Sequence, residues 1–337
     1  MTSSQRASIS SKFEPNDIER RDDATSNVGD QRGGGLYVYS PNVKLAVKVA
    51  LATGRPLLVR GAPGWGKSSL AGSVAKILGW RYLEKVISSR TQARDLMSEV
   101  DLIRRLSDAH AKDVQVDPDW RRYIRPGVLW KAFDPVDAQK QQDFFDRRET
   151  ASTQAAEATA TPAVVLLDEM DKADPDVPNN LLVALGSLQF DVDEIPQRTV
   201  KARDGAVPLI IVTTNDERDL PRAFLRRCVE IELPALDGAD PEAQRKKLLV
   251  DIGALHLEGK LARSFVETVA DTIVNEIGKA GSDGGAMLPS PAEFIDTLRA
   301  LYDLYGMDGK IEKNVKAEEI VAVTRIAARK LGLAGNS

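Results

Sequence analysis

Residues 61–68 read Gly61-Ala62-Pro63-Gly64-Trp65-Gly66-Lys67-Ser68, and this stretch decides the fold. It matches the pattern G-x-x-x-x-G-K-[ST], in which glycines let the backbone curl until successive N–H groups point at phosphate oxygens. A predicted strand at 57–60, apolar at 57–59, precedes it, and a helical pattern at 68–78 follows it. The start of that helix adds a dipole that favours an anion. The stretch therefore predicts a phosphate-binding loop between a strand and a helix, and the alternative is a simple glycine turn.

Two apolar runs further along the chain end in polar residues. Residues 164–167 lead into the adjacent carboxylates Asp168 and Glu169, and residues 209–214 lead into Asn215. In a parallel sheet, ligands bind beyond the carboxyl ends of the strands. We therefore expect these side chains to lie beside the loop. For each run, the alternative is a buried strand that simply continues into a polar turn.

The residue types suggest one role for each position. Lys67 is expected to reach the β- and γ-phosphates, and Ser68 and Asp168 are expected to hold Mg²⁺. Glu169 is expected to polarise the attacking water as a general base. Asn215 is expected to orient that water or to contact the γ-phosphate. Together these expectations describe a site for a phosphate chain and Mg²⁺.

Apolar runs alternate with helical patterns up to Pro234. Such alternation predicts an α/β fold with a parallel sheet. After Pro234 no further strand-like run appears, and apolar residues such as Val266, Val269 and Ile273 recur at helical spacing. An all-helical lid domain is therefore expected to follow. The predicted strands cover residues 57–60, 82–87, 163–167, 209–213 and 229–233.

The chain has three predicted parts. Residues 1–34 are polar and lead into a run of glycines, so we expect a disordered N-terminal arm. Residues 35–234 are expected to form the α/β domain, and residues 235–337 the helical lid domain. Within the α/β domain, the stretch 135–162 is rich in Gln, Ala and Thr and is expected to be a flexible surface insertion.

The composition disfavours several other chemistries. The 337 residues include one cysteine, Cys228, and two histidines, His110 and His256. An intrachain disulfide is therefore excluded, and a His-rich metal site or Ser-His-Asp chemistry is not expected. The apolar runs are far shorter than the ~20 residues that span a bilayer, and no secretory signal is visible. A cytoplasmic location is expected, since a reducing compartment suits a single cysteine.

In this order along the chain, the glycine loop, the carboxylate pair and Asn215 resemble an AAA+ ATPase, and more narrowly the MoxR-like branch. The resemblance covers about residues 36–305. It implies a P-loop NTPase three-layer sandwich with a parallel sheet, followed by an all-helical lid domain, and it implies that ATP and Mg²⁺ are bound. It implies that Gly61 to Ser69 correspond to Walker A, Asp168 and Glu169 to Walker B, and Asn215 to sensor 1. Further segments that carry it are Arg125-Pro126-Gly127-Val128-Leu129, Asp168-Glu169-Met170-Asp171-Lys172-Ala173-Asp174, Pro178-Asn179-Asn180-Leu181-Leu182 and Asp219-Leu220-Pro221-Arg222-Ala223-Phe224-Leu225-Arg226-Arg227-Cys228.

The resemblance also implies an arginine finger. Arg227, just before Cys228 at the start of the last predicted strand, corresponds to the residue that reaches a neighbouring subunit's nucleotide and stabilises transition-state charge. Arg226 is a close competitor for this role. The alternative for both is a solvated surface pair.

The sequence departs from the family pattern at the lid. MoxR-like proteins usually carry a sensor 2 arginine just after a Ser-Pro pair, whereas here Ser290-Pro291 is followed by Ala292 and Glu293. Arg299 lies two helical turns beyond Ala292 on the same face, and it is the candidate substitute.

Two basic segments have open interpretations. In the family, the region after the second strand approaches a central pore, so Arg90 and Arg94 are candidate partner contacts; a solvated helix start is the alternative. The segment from Trp120 to Trp130 occupies the place of the family's helix-2 insertion. Its aromatic residues either bind a partner or pack locally, and packing is the favoured interpretation.

The resemblance implies a ring, a hexamer in the family's manner, that hydrolyses ATP at subunit interfaces and remodels a partner protein. That partner is often a von Willebrand A-domain protein on another chain. The first alternative is a motor subunit of a defence or nucleic-acid-processing complex, in which Arg90, Arg94, Arg121, Arg122 and Arg125 line a channel. The net charge of −4 disfavours nucleic acid as the partner. The second alternative is a scaffold that binds nucleotide without hydrolysing it.

Overall fold

The computed structural model describes residues 3–16, 18–20, 36–110, 119–146, 161–236, 240–280, 288–307, 310–311 and 315–328. The chain divides into two compact units. The first contains Met1–Asn16, Pro41–Arg60 and Ser68–Glu232, and the second contains Asp17–Ser40, Gly61–Lys67 and Leu233–Ser337. Each unit is therefore assembled from separate segments of the chain.

Helices and strands alternate along the first unit, whereas the second unit is mainly helical with four short strands among its described residues. The strands are β1 (Ile18–Arg20), β2 (Leu36–Val38), β3 (Leu57–Arg60), β4 (Arg81–Val86), β5 (Ser98–Val100), β6 (Ile124–Pro126), β7 (Ala163–Asp168), β8 (Gln189–Asp191), β9 (Thr199–Lys201), β10 (Leu209–Thr213), β11 (Val229–Glu232), β12 (Gly306–Met307) and β13 (Lys310–Ile311). The α-helices are α1 (Ser3–Lys12), α2 (Pro41–Thr53), α3 (Lys67–Leu78), α4 (Leu102–His110), α5 (Val128–Phe133), α6 (Pro135–Asp146), α7 (Asp176–Ser187), α8 (Arg222–Leu225), α9 (Pro241–His256), α10 (Arg263–Ala280), α11 (Pro291–Tyr305) and α12 (Ala317–Ala327).

The central sheet lies in the first unit and is parallel throughout, in the order β11-β3-β10-β7-β4. Strands β3, β7 and β10 are apolar and buried along nearly their whole length, as is typical of parallel strands covered on both faces. The register places Thr213 beside Val59 and Asp168 beside Val86, so neighbouring strands end at one edge. The predicted α/β fold with a parallel sheet is confirmed, and the observed strand ends lie within one residue of those predicted.

The core of the first unit packs around large aromatic side chains. Trp130 and Phe133 on α5 are fully buried, and the ring of Phe190 on β8 lies 6.3 and 5.9 Å from theirs. The indole N–H of Trp130 donates to the Asp137 carboxylate at 2.8 Å, which satisfies the polar atom that its burial removes from water. This packing holds the layer of helices that supports β7.

The N-terminal segment differs from the predicted disordered arm at residues 3–16. Helix α1 packs beside α2, and Phe13 is fully buried. The Arg6 guanidinium donates to the carbonyl of Thr53 at 2.7 Å, and Lys48 pairs with Glu14 at 2.6 Å. A cation at the C-terminal end of α2 is favoured by the helix dipole, which composition alone does not reveal. Residues 21–35 lie outside the described residues.

The predicted flexible insertion, 135–162, begins with an ordered helix. Helix α6 covers its first part and buries Phe145 and Gln141. The side-chain amide of Gln141 donates to the carbonyls of Arg121 and Ile124, both at 2.7 Å. The predicted flexibility was wrong for this helix. Its polar residue Gln141 is buried and finds its hydrogen-bond partners in a turn far away in the sequence, which composition does not reveal. Residues 147–160 lie outside the described residues.

The second unit is mainly helical, as predicted for its C-terminal part, and it also contains the short antiparallel pairs β1 with β2 and β12 with β13. Helices α9, α10, α11 and α12 enclose an apolar core that includes Val266, Phe294 and Leu298. Gly253 lies where α9 meets α11, and a Cβ there would come within 2.6 Å of Leu298 Cδ1. A glycine at this position therefore lets the two helices approach closely.

Candidate functional site

At two positions of the glycine loop, Gly61 and Gly64, the structure leaves no room for a side chain. Gly61 has a φ of 131°, and a Cβ there would lie 2.2 Å from the Leu233 carbonyl oxygen. Gly64 has a φ of 84°, and a Cβ there would lie 2.5 Å from the Ser290 hydroxyl oxygen. These backbone conformations are open to glycine and strained for other residues. The loop between β3 and α3 thus has the curled backbone that the sequence pattern predicted.

Lys67 lies inside the curl of the loop and is only 7% exposed. Its ammonium group donates to the carbonyl of Gly61 at 2.6 Å and to that of Ala62 at 2.9 Å. Carbonyl dipoles thus compensate a nearly buried positive charge. The same ammonium group is positioned to exchange these carbonyls for the oxygens of an anion held by the loop.

The start of helix α11 contacts the loop within the second unit. The backbone N–H of Ala292 donates to the Gly64 carbonyl at 3.3 Å. Ser290 and Glu293 form a capping box at this helix start, with the Ser290 N–H donating to the Glu293 carboxylate at 2.8 Å. Arg299, the candidate substitute for sensor 2, lies exposed on the same helix, and its role stays a prediction.

In the first unit, Ser68 and Asp168 meet at the carboxyl ends of the strands. The Ser68 hydroxyl lies 2.9 and 3.0 Å from the two carboxylate oxygens of Asp168. Oxygen ligands suit Mg²⁺, which commonly takes one or two protein ligands and completes its shell with phosphates and water. Within the described ranges, no group of three or more acidic, His or Cys residues is arranged to hold a metal ion. The Ser68 and Asp168 oxygens therefore fit a shared Mg²⁺ site of this sparse kind.

Thr213, at the end of β10, connects the two Walker-type carboxylate positions and was not identified from the sequence. Its hydroxyl donates to the Asp168 carboxylate and accepts from the backbone N–H of Glu169 at 3.0 Å. Thr213 is only 1% exposed. The parallel pairing of β10 with β7 brings these residues together. The sequence feature that could have identified Thr213 is a hydroxyl residue at the end of a predicted strand next to the one that ends in Asp168.

Glu169 has an unusual backbone conformation, with φ 61° and ψ 47°. A residue other than glycine in this left-handed region costs of order 1 kcal/mol and is held there by its surroundings. Its carboxylate pairs with the ammonium group of Lys172 at 2.7 Å. The hydrogen bond to Glu169 raises the pKa of Lys172 above its ordinary value. Glu169 is thus held at the start of the turn that follows β7, with one carboxylate oxygen engaged.

Asp171 is a second residue that sequence reasoning did not assign a role. It is 2% exposed, and one carboxylate oxygen accepts from the backbone N–H groups of Asn215 and Glu217, both at 3.1 Å. The other carboxylate oxygen has no hydrogen-bond partner within the described chain. Asp171 therefore fastens the turn after β7 to the turn after β10 and positions Asn215. The available signal was a third acidic residue shortly after Asp168 and Glu169.

Replacing Asp171 by alanine is expected to lower the free energy of unfolding by about 2 kcal/mol, because two partly buried backbone N–H groups lose their acceptor. Asp171→Asn is the matched control, since one amide oxygen can still accept both N–H groups. We expect the asparagine variant to lose less than about 1 kcal/mol. Urea unfolding monitored by circular dichroism measures both. Equal losses in the two variants would contradict the positioning role.

Arg60 holds the loop after Asn215 from the other side. Its guanidinium pairs with Asp216 at 3.1 Å and with Glu230 at 2.5 Å. The hydrogen bond to Glu230 is the largest cause that raises the pKa of Arg60. These groups are about one-third exposed, so each pair contributes at most about 1 kcal/mol. Their main effect is to link β3 and β11 to the Asn215 loop.

Arg226 and Arg227 lie exposed in the turn between α8 and β11. Their guanidinium groups fold back toward the short helix: that of Arg226 donates to the Arg222 carbonyl at 3.4 Å, and that of Arg227 to the Ala223 carbonyl at 3.1 Å. The next residue, Cys228, is buried, and burial raises the pKa of its thiol to about 12. Both arginines remain candidates for the finger.

The aromatic segment near Trp120 is packed, in line with the favoured interpretation. The Arg105 guanidinium lies 3.4 Å from the Trp120 ring centre, and Tyr123 is fully buried. Arg121 and Arg125 lie 4.8 Å from the rings of Phe144 and Phe145, respectively. These cation–π contacts engage the arginines with the protein's own rings. Arg90 and Arg94, by contrast, are exposed.

The fold and the loop define a P-loop ATPase domain of the AAA+ class. The family described as AAA domain (dynein-related subfamily) matches residues 56–228, which is about half of the chain. The chain belongs to this family. This match shows the AAA domain family and does not distinguish its MoxR-like branch.

Among solved structures, three mutants of RuvB from Thermotoga maritima are similar to this chain. They are 15%, 13% and 14% identical, with TM-scores of 0.45, 0.44 and 0.46. The matches cover 86%, 84% and 86% of this chain and 71%, 67% and 70% of the RuvB chains. No curated protein matches the sequence. Within the described residues, no helix is both long and apolar enough to cross a membrane.

Proposed function

We propose that this chain binds and hydrolyses ATP with Mg²⁺. The observation that carries the proposal is the contact of Ser68 with Asp168 at the edge of the sheet where Glu169 and Asn215 also lie. AAA domains bind ATP with Mg²⁺ in general, and this chain has an oxygen donor pair of the kind that Mg²⁺ takes. Glu169, a candidate general base directly after Asp168, favours hydrolysis over binding alone.

Each residue then has a defined task. The N–H groups of Gly61 to Ser69 bind the phosphate oxygens, and Lys67 turns from the loop carbonyls to the β- and γ-phosphates. Ser68 and Asp168 hold Mg²⁺, which when bound neutralises charge on the phosphates. Glu169 accepts a proton from the attacking water. Asn215, held by Asp171, orients that water.

We further propose a ring of subunits, of the MoxR-like kind, in which Arg227 or Arg226 reaches the nucleotide of the next subunit. Their exposure in a turn supports this role, because a residue that acts in a neighbouring subunit must be accessible. The work of the ring would be to remodel a partner protein, with a von Willebrand A-domain protein on another chain as the first candidate. A cytoplasmic location belongs to the same proposal.

The test is steady-state ATP hydrolysis by the purified full chain, with and without Mg²⁺. We expect Mg²⁺-dependent turnover that Lys67→Ala abolishes, because the phosphates lose their only lysine from the loop. Circular dichroism of the variant checks that it is folded. Turnover that is absent in the wild-type ring, or unchanged in Lys67→Ala, would contradict the proposal.

The same assay separates a protein-remodelling ring from a nucleic-acid motor. Single-stranded and double-stranded DNA are added at low and high salt. A remodelling ring is expected to show no stimulation by DNA. Salt-sensitive stimulation, which follows from neutralising phosphates with lysine and arginine, would favour the motor subunit instead.

A further inference from the structure

Arg55 has an unexplained pair of contacts across the first unit. It follows Gly54 and precedes Pro56, immediately before β3. Its Nε donates to the Arg227 carbonyl at 3.1 Å, and its Nη2 donates to the Arg226 carbonyl. One guanidinium group therefore holds two successive carbonyls of the turn that carries both candidate finger residues.

The sheet explains why Arg55 reaches this turn. Strand β3 pairs in parallel with β11, with Leu57 beside Val229. The Val229 N–H donates to the Pro56 carbonyl at 2.8 Å, just before that pairing begins. The residue before β3 therefore faces the residues before β11. Pro56 disfavours a helical backbone at Arg55, which suits the place of Arg55 directly before a strand.

The turn needs an external donor because α8 is so short. A helix leaves its last four carbonyls without intrahelical partners, and α8 has only the four residues Arg222–Leu225. The carbonyls of Arg226 and Arg227 follow directly. A planar guanidinium with donors in a fixed fork binds two such carbonyls at once, which a lysine ammonium group does not do in the same geometry.

We propose that Arg55 is a positioning residue for the Arg226–Arg227 turn and thereby sets the efficiency of the arginine finger. Fixing two successive carbonyls fixes the peptide planes from which both finger candidates project. The proposal rests on the proposed function, in which one of these arginines acts on the neighbouring subunit's nucleotide. Arg55 itself touches no residue of the glycine loop in the hydrogen bonds described and acts only through the turn.

The first measurement is ATP turnover by assembled rings of Arg55→Met, which keeps the aliphatic stem and removes the donors. We expect kcat to fall roughly tenfold, as for the loss of a charged hydrogen-bond donor, with KM for ATP unchanged. Arg55→Lys is expected to recover part of the loss. Arg263→Met is the matched control: this exposed arginine pairs with Asp251 in the second unit, and we expect its variant to match the wild type.

The second measurement asks whether the defect acts in trans. An Arg55→Met subunit has an intact nucleotide site and a misplaced finger, whereas a Lys67→Ala subunit has a disabled site and an intact finger. Mixed rings of the two are expected to regain turnover above the sum of the separate rings. Mixed rings of Arg55→Met with Arg227→Ala are expected to show no such gain, since neither supplies a placed finger.

The outcomes separate the inference from the proposed function. Wild-type kcat in Arg55→Met, or a loss that Lys67→Ala subunits do not relieve although size-exclusion chromatography shows assembly, would overturn the role of Arg55 alone. Full activity in both Arg226→Ala and Arg227→Ala would overturn the finger, and the inference with it.

Discussion

Arg227→Ala is expected to lower kcat for ATP hydrolysis by roughly 10³-fold in assembled rings, the range seen when an arginine finger is removed. In the proposed role, the arginine stabilises charge that develops on the transferred phosphoryl group, so its loss is expected to raise the barrier and to leave ATP binding nearly unchanged. Its exposed position in the turn before β11 is compatible with a partner on a neighbouring subunit. Steady-state turnover and equilibrium binding of ATP measure the two quantities separately.

Arg226→Ala is the matched control, since it removes the same side chain one residue earlier. We expect it to lose less than about tenfold, the cost of disturbing the turn rather than the finger. A larger loss in Arg226→Ala than in Arg227→Ala would transfer the role to Arg226. Mixed rings of Arg227→Ala and Lys67→Ala subunits are expected to recover turnover at those interfaces where an intact site faces an intact finger. No recovery in confirmed mixed rings would contradict action in trans.

Glu169→Gln is expected to lower turnover by roughly 10²- to 10⁴-fold, the usual contribution of a general base. The amide has nearly the same shape and does not accept the proton of the attacking water. ATP binding and ring assembly are expected to persist, because the loop, Lys67 and Asp168 are unchanged. Chromatography of the nucleotide retained by the purified variant is therefore expected to show ATP, where the wild type retains ADP.

Glu217→Gln provides the control for Glu169→Gln. Glu217 is an exposed acid on the Asn215 loop, and the loop is held there by its backbone N–H rather than by its carboxylate. We expect this variant to turn over ATP within a factor of about two of the wild type, as for a surface substitution. If Glu169→Gln turns over ATP at the wild-type rate, Glu169 is not the base.

Several site features depend on distant partners and were not predicted. The Thr213 hydroxyl meets Asp168 across 45 residues of chain, and Arg55 meets Arg227 across 172. In the sequence, Asp171 is one polar residue of a loop like any other. Only the fold places the Asn215 turn beside its carboxylate. Sequence patterns report local backbone preference and burial, and they carry no direct information on which loop will supply a partner.

The predicted disordered arm and the predicted flexible insertion were wrong or incomplete for a related reason. Helices α1 and α6 lie in stretches whose polar composition resembles a disordered segment. Each is held by a few specific contacts, such as Arg6 on the Thr53 carbonyl and Gln141 on the Ile124 carbonyl. Composition averages over such contacts, so it underestimates order where a handful of hydrogen bonds and one buried aromatic residue are enough.

By itself, the sequence determined the glycine loop, the strands that surround it and the acidic and amide residues at their ends. These are local properties, because glycine content sets the turn and apolar runs set the buried strands. Only the tertiary structure decided which side chains hold those residues in place: Thr213 on Asp168, Asp171 on the Asn215 loop and Arg55 on the Arg226–Arg227 turn. Their contacts arise from strand order and register, which depend on pairing between segments far apart in the chain.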